Sequence, residues 1–210
     1  MSYSAGRIQD YLNDAASSKP APGGGSISAM AAALACSMSE MAANFTVGKK
    51  KFAGVEGQVK ECLQQLEVSR RKLLALLDAD VEAYGAVGGA YAMPKDTDEQ
   101  KAAREKAIQD ALRSAMKVPM NIMRQCGVVS HCAAELVRIA NPNLITDVGV
   151  SAILSEAACA AARLNVEVNL KFITDPAVAA EVRPEMDELT ETTRRCRDEV
   201  ARAVAEHLSK

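Results

Sequence analysis

The sequence contains no tryptophan, and aromatic residues make up only 3% of its 210 residues. A β-sheet core draws on aromatic and β-branched side chains, so this scarcity disfavours a sheet. Hydrophobic residues still account for 49% of the chain, and alanine, leucine, valine and methionine dominate them, which suits closely packed helices. Because domains usually contain ~100–200 residues, the composition predicts a single all-α domain over residues 1–210.

The sequence also lacks an excess of positive charge, since 25 Lys and Arg residues face 27 Asp and Glu residues. Nucleic-acid binders need a cationic surface for phosphates, so this class is disfavoured. No apolar segment of the signal-peptide type follows residues 1–7. Charged residues interrupt the apolar stretches before the ~20 residues that a membrane helix requires. We therefore expect a cytoplasmic protein that binds neither nucleic acid nor a membrane.

Metal-binding and disulfide patterns are missing as well. The sequence has six cysteines and two histidines, but it has no C-x-x-C pair and no histidine at a zinc-ligand spacing. We therefore expect no metal site and interpret the thiols as small, buried hydrophobes of a cytosolic protein. The cysteines are Cys36, Cys62, Cys126, Cys132, Cys159 and Cys196.

Apolar residues recur with helical spacing through every long segment. Helices are predicted over residues 4–17, 26–46, 55–91, 98–140, 145–172, a short stretch from 176, and 184–208. Ser26 is a good N-cap residue for the second helix. Pro119 predicts a kink or restart, and Pro184 predicts the first turn of a new helix. The expected fold is a bundle of six or seven helices with one long central helix.

The helix predicted over residues 55–91 carries two charged residues on its otherwise apolar face, Arg70 and Asp80. They lie ~15 Å apart along the helix axis, too far to pair with each other. A buried carboxylate is costly without a partner, so Asp80 either forms a salt bridge to a neighbouring helix or lines a cavity.

The helix predicted over residues 145–172 places Asp147 and Asn165 on one face, with Asn169 one turn further. Asp147 and Asn165 point the same way but lie ~27 Å apart along the axis, so one chain cannot bring both to one small ligand. The small residues between them suit close helix contact. The two asparagines either contribute to a site or only hydrogen-bond across this contact.

Two further segments are candidates for binding. Gly23–Ser26 precedes a helix, where free amides and the helix dipole attract anions or polar ring edges, although three glycines also make an ordinary reversal. Lys49, Lys50 and Lys51 form a cationic cluster at a helix end. This cluster either complements the helix dipole or forms an anion site in which one lysine moves protons.

Together these segments resemble the cyclodeaminase/cyclohydrolase family of folate enzymes. The ordered set of matching stretches covers nearly the whole chain. These stretches are residues 20–26, 44–52, 78–80 with Tyr84, 93–97, 118–119, 143–148 and 164–170. The lysine run at 49–51 is similar to the corresponding run in the stand-alone cyclohydrolases, whereas the fused deaminases tend to carry arginine there. From the length of 210 residues we expect no fused transferase.

The resemblance implies an all-α subunit that acts as a homodimer, with a folate site in a groove at the glycine loop and no metal or redox cofactor. The expected activity is hydrolysis of methenyltetrahydrofolate to 10-formyltetrahydrofolate. One alternative is formiminotetrahydrofolate cyclodeaminase activity, which releases ammonia. Another is a non-catalytic helical module that binds folate or a partner protein.

Within this family framework we assign hypothetical roles to the polar residues. Asp147 stabilises the cationic bridge or activates water, and Lys49 transfers a proton or orients the attacking oxygen. Asp80 is the alternative acid or a lysine partner. The expected substrate contacts are Gly24, Gly25 and Ser26 for the pterin, Lys50, Lys51 and Lys95 for the glutamate tail, and Asn165 and Asn169, from the opposite subunit, for the groove.

Overall fold

The computed structural model describes residues 2–210, which form six α-helices and two short 3₁₀ turns, with no β-strand in this part of the chain. The prediction of an all-α bundle is confirmed. The helices are α1 (Ile8–Ala15), α2 (Gly24–Asn44), α3 (Glu56–Tyr91), α4 (Asp98–Ile139), α5 (Ile145–Phe172) and α6 (Pro176–Leu208), and the 3₁₀ turns are Lys50–Phe52 and Pro142–Leu144.

The longest helix, α4, is the central one, because its 42 residues contact α2, α3, α5 and α6. A capping box opens it, in which the Thr97 hydroxyl accepts from the Gln100 N–H and the Gln100 side chain accepts from the Thr97 N–H. Its buried side chains include Ile122, Met123 and Val129. This helix holds α3 on one side and α5 and α6 on the other.

Both internal prolines lie inside continuous helices, so a restart at Pro119 and a new helix at Pro184 are wrong. Pro119 lies within α4, and Pro184 lies within α6, which merges the two helices predicted after residue 175 into one. Proline removes one i→i−4 hydrogen bond, and at Pro184 the carbonyl that loses its donor belongs to Ala180. Pro184 and Ala180 are both exposed, so water can hydrate that carbonyl. The packing of α6 against α4 and α5 then holds the helix together.

Helices α2 and α5 pack closely in antiparallel directions. The Ser39 hydroxyl donates to the Ser151 hydroxyl at 2.7 Å, whereas Gly24 faces Asn165 near the opposite ends of the two helices. Small side chains make this approach possible, because many alanines and serines of the two helices are almost fully buried. The residues concerned are Ala29, Ala32, Ala35, Ser39, Ser151, Ala152, Ser155 and Ala158.

The outer face of this helix pair is apolar and exposed. We name it the α2/α5 face and define it by its exposed large side chains, Ile27, Leu34, Phe45, Val150, Ile153, Leu164 and Val168. Both α2 and the segment Pro142–Phe172 are long and apolar enough to cross a membrane by length and composition. This corrects the expectation that charges interrupt every such stretch. The α2 window is 61% buried inside the bundle, as in a core helix, but only 39% of the α5 window is buried.

Arg70, which stood out in the sequence, has a structural partner. Its Nε donates to both Glu40 carboxylate oxygens, at 2.9 and 3.0 Å, across the contact between α2 and α3. Glu40 is buried, so this ion pair satisfies a carboxylate that would otherwise destabilise the core. Arg70 therefore joins two helices and does not explain the second anomalous residue, Asp80.

Candidate functional site

A cavity of about 500 Å³ lies where the glycine loop meets α3, α4 and α5. Polar groups line one part of it and apolar or aromatic groups another, as in small-molecule sites. The polar and aromatic residues of its lining, together with the loop glycine, are Gly24, Asp80, Tyr84, Tyr91, Asn165, Asn169 and Phe172. The cavity therefore joins three of the candidate segments of the sequence, the glycine loop, the Asp80 region and the asparagine pair.

Asp80 enters the cavity from α3 and meets the first turn of α2. One carboxylate oxygen, Oδ2, accepts from the Ser26 N–H at 2.8 Å. The carboxylate lies so close to the loop that a Cβ atom built on Gly25 would be 2.0 Å from Asp80 Oδ1. Only glycine leaves room for this carboxylate, which gives Gly25 a specific structural role. Asp80 thus lines a cavity, and its partner is a backbone amide.

The surroundings of Asp80 favour its protonated form. Burial raises the pKa of Asp80, and the hydrogen bond from the Ser26 N–H offsets only part of this effect. A raised pKa moves a carboxyl group toward the pH range in which it can both accept and donate a proton, and general acid–base catalysis requires both.

Ser26 is a structural anchor, and the prediction that it is an N-cap is wrong. The N-cap residue of α2 is Gly23, and Ser26 lies buried in the first helical turn. Its hydroxyl donates to the Leu77 carbonyl at 3.0 Å, so the Tyr11 hydroxyl, also at 3.0 Å, must donate to Ser26. This chain of hydrogen bonds ties α1 and α3 to the start of α2 and fixes the amide that holds Asp80.

Asn165 and Asn169 lie in the cavity wall on α5, as part of the same chain that supplies the glycine loop. Each amide nitrogen donates one hydrogen bond to its own helix, from Asn165 to the Ala161 carbonyl at 2.9 Å and from Asn169 to the Asn165 carbonyl at 2.7 Å. A Cβ on Gly24 would lie 3.1 Å from the Asn165 amide. The asparagines therefore lie beside the glycine loop of their own chain, and no opposite subunit is needed to bring them there.

Lys49, Lys50, Lys51 and Asp147 lie at the other end of the bundle. The lysines follow the C-terminus of α2 and are exposed, whereas Asp147 is half-buried in the first turn of α5. The Thr46 hydroxyl accepts from the Asn141 N–H at 2.9 Å and joins these two ends. Because α2 has 21 residues, this region lies ~30 Å from the glycine loop. One chain therefore does not unite Asp147 and Lys49 with Asp80.

An aromatic rim lines the edge of the cavity, and no sequence motif indicated this role. Tyr84, Tyr91 and Phe172 are each about half exposed. Tyr84 and Tyr91 continue the apolar stripe of α3 by spacing, which suggested burial, but both rings face the cavity and remain exposed. Lys95 is exposed in the turn that follows Tyr91 and Pro94. Three exposed aromatic rings beside polar groups suit a flat, partly polar ligand.

Metal-ligand side chains do not converge in this region. Within residues 2–210, no group of three or more His, Cys, Asp or Glu side chains has the arrangement of a metal site. The chemistry that the cavity offers from its own side chains is proton transfer by Asp80 and hydrogen bonding by the amides.

The family model for formiminotransferase-cyclodeaminase matches residues 7–188, a range that includes the whole cavity. The chain belongs to this family. The resemblance carried by the sequence motifs is therefore confirmed.

Individual relatives agree with this assignment. The chain is 42% identical over 182 residues to a methenyltetrahydrofolate cyclohydrolase of Methylorubrum extorquens, covering 87% of this chain and 88% of that protein. It is 29% identical over 182 residues to the formimidoyltransferase-cyclodeaminase of Rattus norvegicus, but it spans only 34% of that longer protein. A solved structure of formiminotetrahydrofolate cyclodeaminase from Thermotoga maritima has a TM-score of 0.87 and 30% identity, covering 96% of this chain and 97% of that chain.

The contact between Gly25 and Asp80 predicts the effect of Gly25→Ala. Because the added methyl group collides with the carboxylate, the free energy of unfolding should fall by about 1–3 kcal/mol, as in an overpacked core. Gly54→Ala is the control, since a Cβ there meets nothing within 4 Å and the residue lies outside the six helices. Urea denaturation measures both variants. Equal stability of the two would show that Asp80 can move away from Gly25 without cost.

Proposed function

We propose that this protein hydrolyses methenyltetrahydrofolate to 10-formyltetrahydrofolate, a step of one-carbon folate metabolism. The observation that carries the proposal is the position of Asp80, whose carboxyl group with a raised pKa lines a cavity beside the glycine loop. The 42% identity to a protein named methenyltetrahydrofolate cyclohydrolase supports the choice of substrate.

The cavity matches the chemistry of the proposed substrate. A folate consists of a flat heterocycle with polar edges, an aromatic ring and a glutamate tail. The free polar groups of Asn165 and Asn169 can hydrogen-bond to the edges of the heterocycle, and the rim formed by Tyr84, Tyr91 and Phe172 can contact its faces. Lys95 lies beyond this rim and can bind the anionic tail.

The reaction needs one group that moves protons. In the substrate, the methenyl carbon lies between two nitrogens that share a positive charge, so water can add to it once a proton is removed. Asp80 accepts that proton as the oxygen–carbon bond forms. It then returns the proton to the ring nitrogen as the bond between this nitrogen and the carbon breaks. The remaining hydroxyl proton is released to solvent, which leaves a neutral formyl group on the other nitrogen.

Asp80 also meets the electrostatic requirement of this reaction. Before it accepts a proton, its negatively charged carboxylate stabilises the cationic bridge of the substrate. The hydrogen bond from Ser26 and the close contact with Gly25 hold the carboxylate in one position, so little reorganisation is needed. The hydrolysis has no net oxidation and starts from a carbon that is already electrophilic, so the mechanism uses no metal or redox cofactor.

We further propose that the active protein is a homodimer joined through the α2/α5 face. Contiguous exposed apolar surface marks an association site, and this face carries large side chains such as Ile153 and Leu164, the latter 70% exposed. We assign a second copy of the chain as the partner on this face. In a two-fold dimer the same apolar patch of each subunit covers that of the other, so one exposed patch is sufficient for an interface. The exposed small residues Ala157 and Ala160 lie near the middle of α5 and let the two helices approach.

This dimer gives the distant polar residues a role. On α5, Asp147 and Asn169 lie ~33 Å apart, and Ala157 and Ala160 lie near their midpoint in sequence. A two-fold axis there sets the partner subunit's Asp147 opposite Asn169, at the edge of the cavity. The partner subunit's Lys49, Lys50 and Lys51 come from the same end of the bundle. Asp147 and Lys49 then assist Asp80, and Lys50 and Lys51 add positive charge for the glutamate tail.

We propose the cytoplasm as the compartment. All six cysteines are free and buried in the described part of the chain, as is usual in a reducing environment. Burial of the α2/α5 face between two subunits removes the apolar surface that a membrane would otherwise bind.

The second candidate function is cyclisation of formiminotetrahydrofolate with release of ammonia. The similarity to a solved structure of that name, at 30% identity and a TM-score of 0.87, favours it over a non-catalytic module. A paired assay separates all three possibilities. We expect loss of the methenyl absorbance above the spontaneous rate and no ammonia from formiminotetrahydrofolate. Ammonia release alone would assign the deaminase activity, and no turnover of either substrate would leave only a binding function.

The variant Asp80→Asn tests the proton-transfer role. Without a titratable group at this position, kcat should fall by about 10²–10⁴-fold. Stability at neutral pH should not fall, because a raised pKa means that ionised Asp80 costs the folded state free energy, which the neutral amide avoids. Glu82→Gln is the control, because Glu82 is exposed two residues further along α3. Near-normal kcat in folded Asp80→Asn would contradict the role of Asp80.

The pH dependence gives a second test. The reactive form of the free enzyme has Asp80 ionised, so kcat/KM should fall as the pH drops through the raised pKa of this residue. The fall should therefore begin above the range of an ordinary aspartate. The residual kcat/KM of Asp80→Asn should not show this fall at low pH. If kcat/KM of that variant falls over the same pH range as in the wild type, another group is responsible for the titration.

The variant Leu164→Lys tests the dimer. A charge in the α2/α5 face should convert dimer to monomer in analytical ultracentrifugation and reduce activity, since the partner's Asp147 and Lys49 leave the cavity. Leu208→Lys is the control, because Leu208 is 67% exposed but lies at the end of α6. A monomeric and fully active wild-type protein would exclude the dimer, and binding of that monomer to lipid vesicles would assign the face to a membrane.

A further inference from the structure

A second and larger cavity, of about 650 Å³, lies between α3, α4 and α6, on a side of the bundle away from the α2/α5 face. Two cysteines from different helices contribute to its wall, Cys62 on α3 and Cys132 on α4. The mechanism proposed above uses neither of them, so the inference drawn here does not rest on the proposed function.

The hairpin geometry of α3 and α4 sets these cysteines side by side. The two residues are equidistant in sequence from Thr97, the N-cap of α4, so antiparallel helices of equal rise bring them to the same level. The contacts agree, because the Cys132 Sγ lies 3.9 Å from the Cys62 carbonyl oxygen and 3.7 Å from Gln65 Oε1. Cys62 and Cys132 therefore meet although 70 residues separate them.

The two thiols differ in pKa and in exposure. The neighbouring Cys132 thiol lowers the pKa of Cys62, against the opposing effects of burial, Glu135 and Glu61. The neighbouring Cys62 thiol and burial raise the pKa of Cys132. Cys62 is 7% exposed and Cys132 is 2% exposed, so the attacking sulfur is the one more open to the cavity.

The cavity selects the kind of oxidant. Carboxylates of Glu61, Glu135 and Glu188 line it, whereas the Arg124 guanidinium is held by Glu185 at 2.6 and 2.7 Å. An acidic entrance disfavours bulky anionic reagents such as glutathione disulfide. Small neutral hydroperoxides meet no such barrier.

We propose that Cys62 and Cys132 form a dithiol site that reduces hydroperoxides and closes to an intramolecular disulfide between α3 and α4. The Cys62 thiolate attacks one peroxide oxygen, the O–O bond breaks, and the second oxygen leaves as alcohol or water after taking up a proton. Cys132 then attacks the Cys62 sulfenic acid. The sulfur–sulfur bond forms and the hydroxyl leaves as water with the Cys132 proton. Two thiols are oxidised for each peroxide reduced.

Peptide mapping of the unsubstituted protein tests this site. The protein is exposed to hydrogen peroxide, its remaining thiols are alkylated under denaturing conditions, and it is digested with trypsin without reduction. We expect peptide 61–70 linked to peptide 125–138. Fragmentation between Cys126 and Cys132 within the second peptide then assigns the bond to Cys132. The disulfide should also raise Tm, because it closes a long loop in the unfolded chain.

Variants assign the two roles and supply the control. Cys132→Ser should abolish the link and leave a sulfenic acid on Cys62 that dimedone traps. Cys62→Ser should yield neither the link nor a dimedone adduct on Cys132. Cys159→Ser should form the link as the wild type does, because Cys159 is fully buried away from this cavity. The proposal is overturned if Cys62 and Cys132 stay reduced while free glutathione in the same sample is oxidised, or if Cys62 is oxidised in the wild type without the link.

Discussion

The hydrogen bond from the Ser26 amide to the Asp80 carboxylate is the interaction on which the candidate site depends. It brings a charged side chain of α3 against the first turn of α2, where only a glycine at position 25 leaves space. The single amide compensates part of the cost of burial, so the pKa of Asp80 remains raised. A stronger partner, such as an arginine, would have stabilised the carboxylate and lowered its pKa.

The rest of the fold maintains this arrangement. Tyr11 and Leu77 fix the Ser26 hydroxyl from two sides, and small residues let α2 and α5 approach until Asn165 faces Gly24. The ion pair between Arg70 and Glu40 holds α2 to α3 further along their length. In contrast to Asp80, Glu40 has a full charged partner. One buried carboxylate therefore serves stability, and the other remains available for chemistry.

Periodicity in the sequence was sufficient for the fold but not for the site. The bounds of α3 and α5 follow from apolar spacing and turn residues to within one residue, because these helices are long and strongly patterned. A restart at Pro119 and a new helix at Pro184 are wrong, because tertiary packing outweighs one lost hydrogen bond. Asp80 was identified by its polarity within an apolar stripe. Its partner was not, since Ser26 lies 54 residues away in sequence and acts through its backbone.

The grouping of Asp147 and Lys49 with Asp80 illustrates the same limit. Helical geometry gave the distance along α5 correctly, and it excluded a shared site for Asp147 and Asn165 within one chain. It could not tell whether Asp147 or the two asparagines lie beside the glycine loop of the same chain, because that depends on the antiparallel packing of α2 on α5. The contact of Cys62 with Cys132 was also hidden, because two cysteines 70 residues apart form no sequence motif.

The central claim is that Asp80, held by one amide over Gly25, is the group that moves protons at the folate bridge. A ¹³C NMR titration of the aspartate carboxyl groups tests it most directly, with Asp80 assigned by the signal missing from Asp80→Asn. The account predicts that Asp80 titrates above the ordinary aspartate range and that a bridged folate analogue shifts its signal. Titration within the ordinary range, with no response to the analogue, would contradict it.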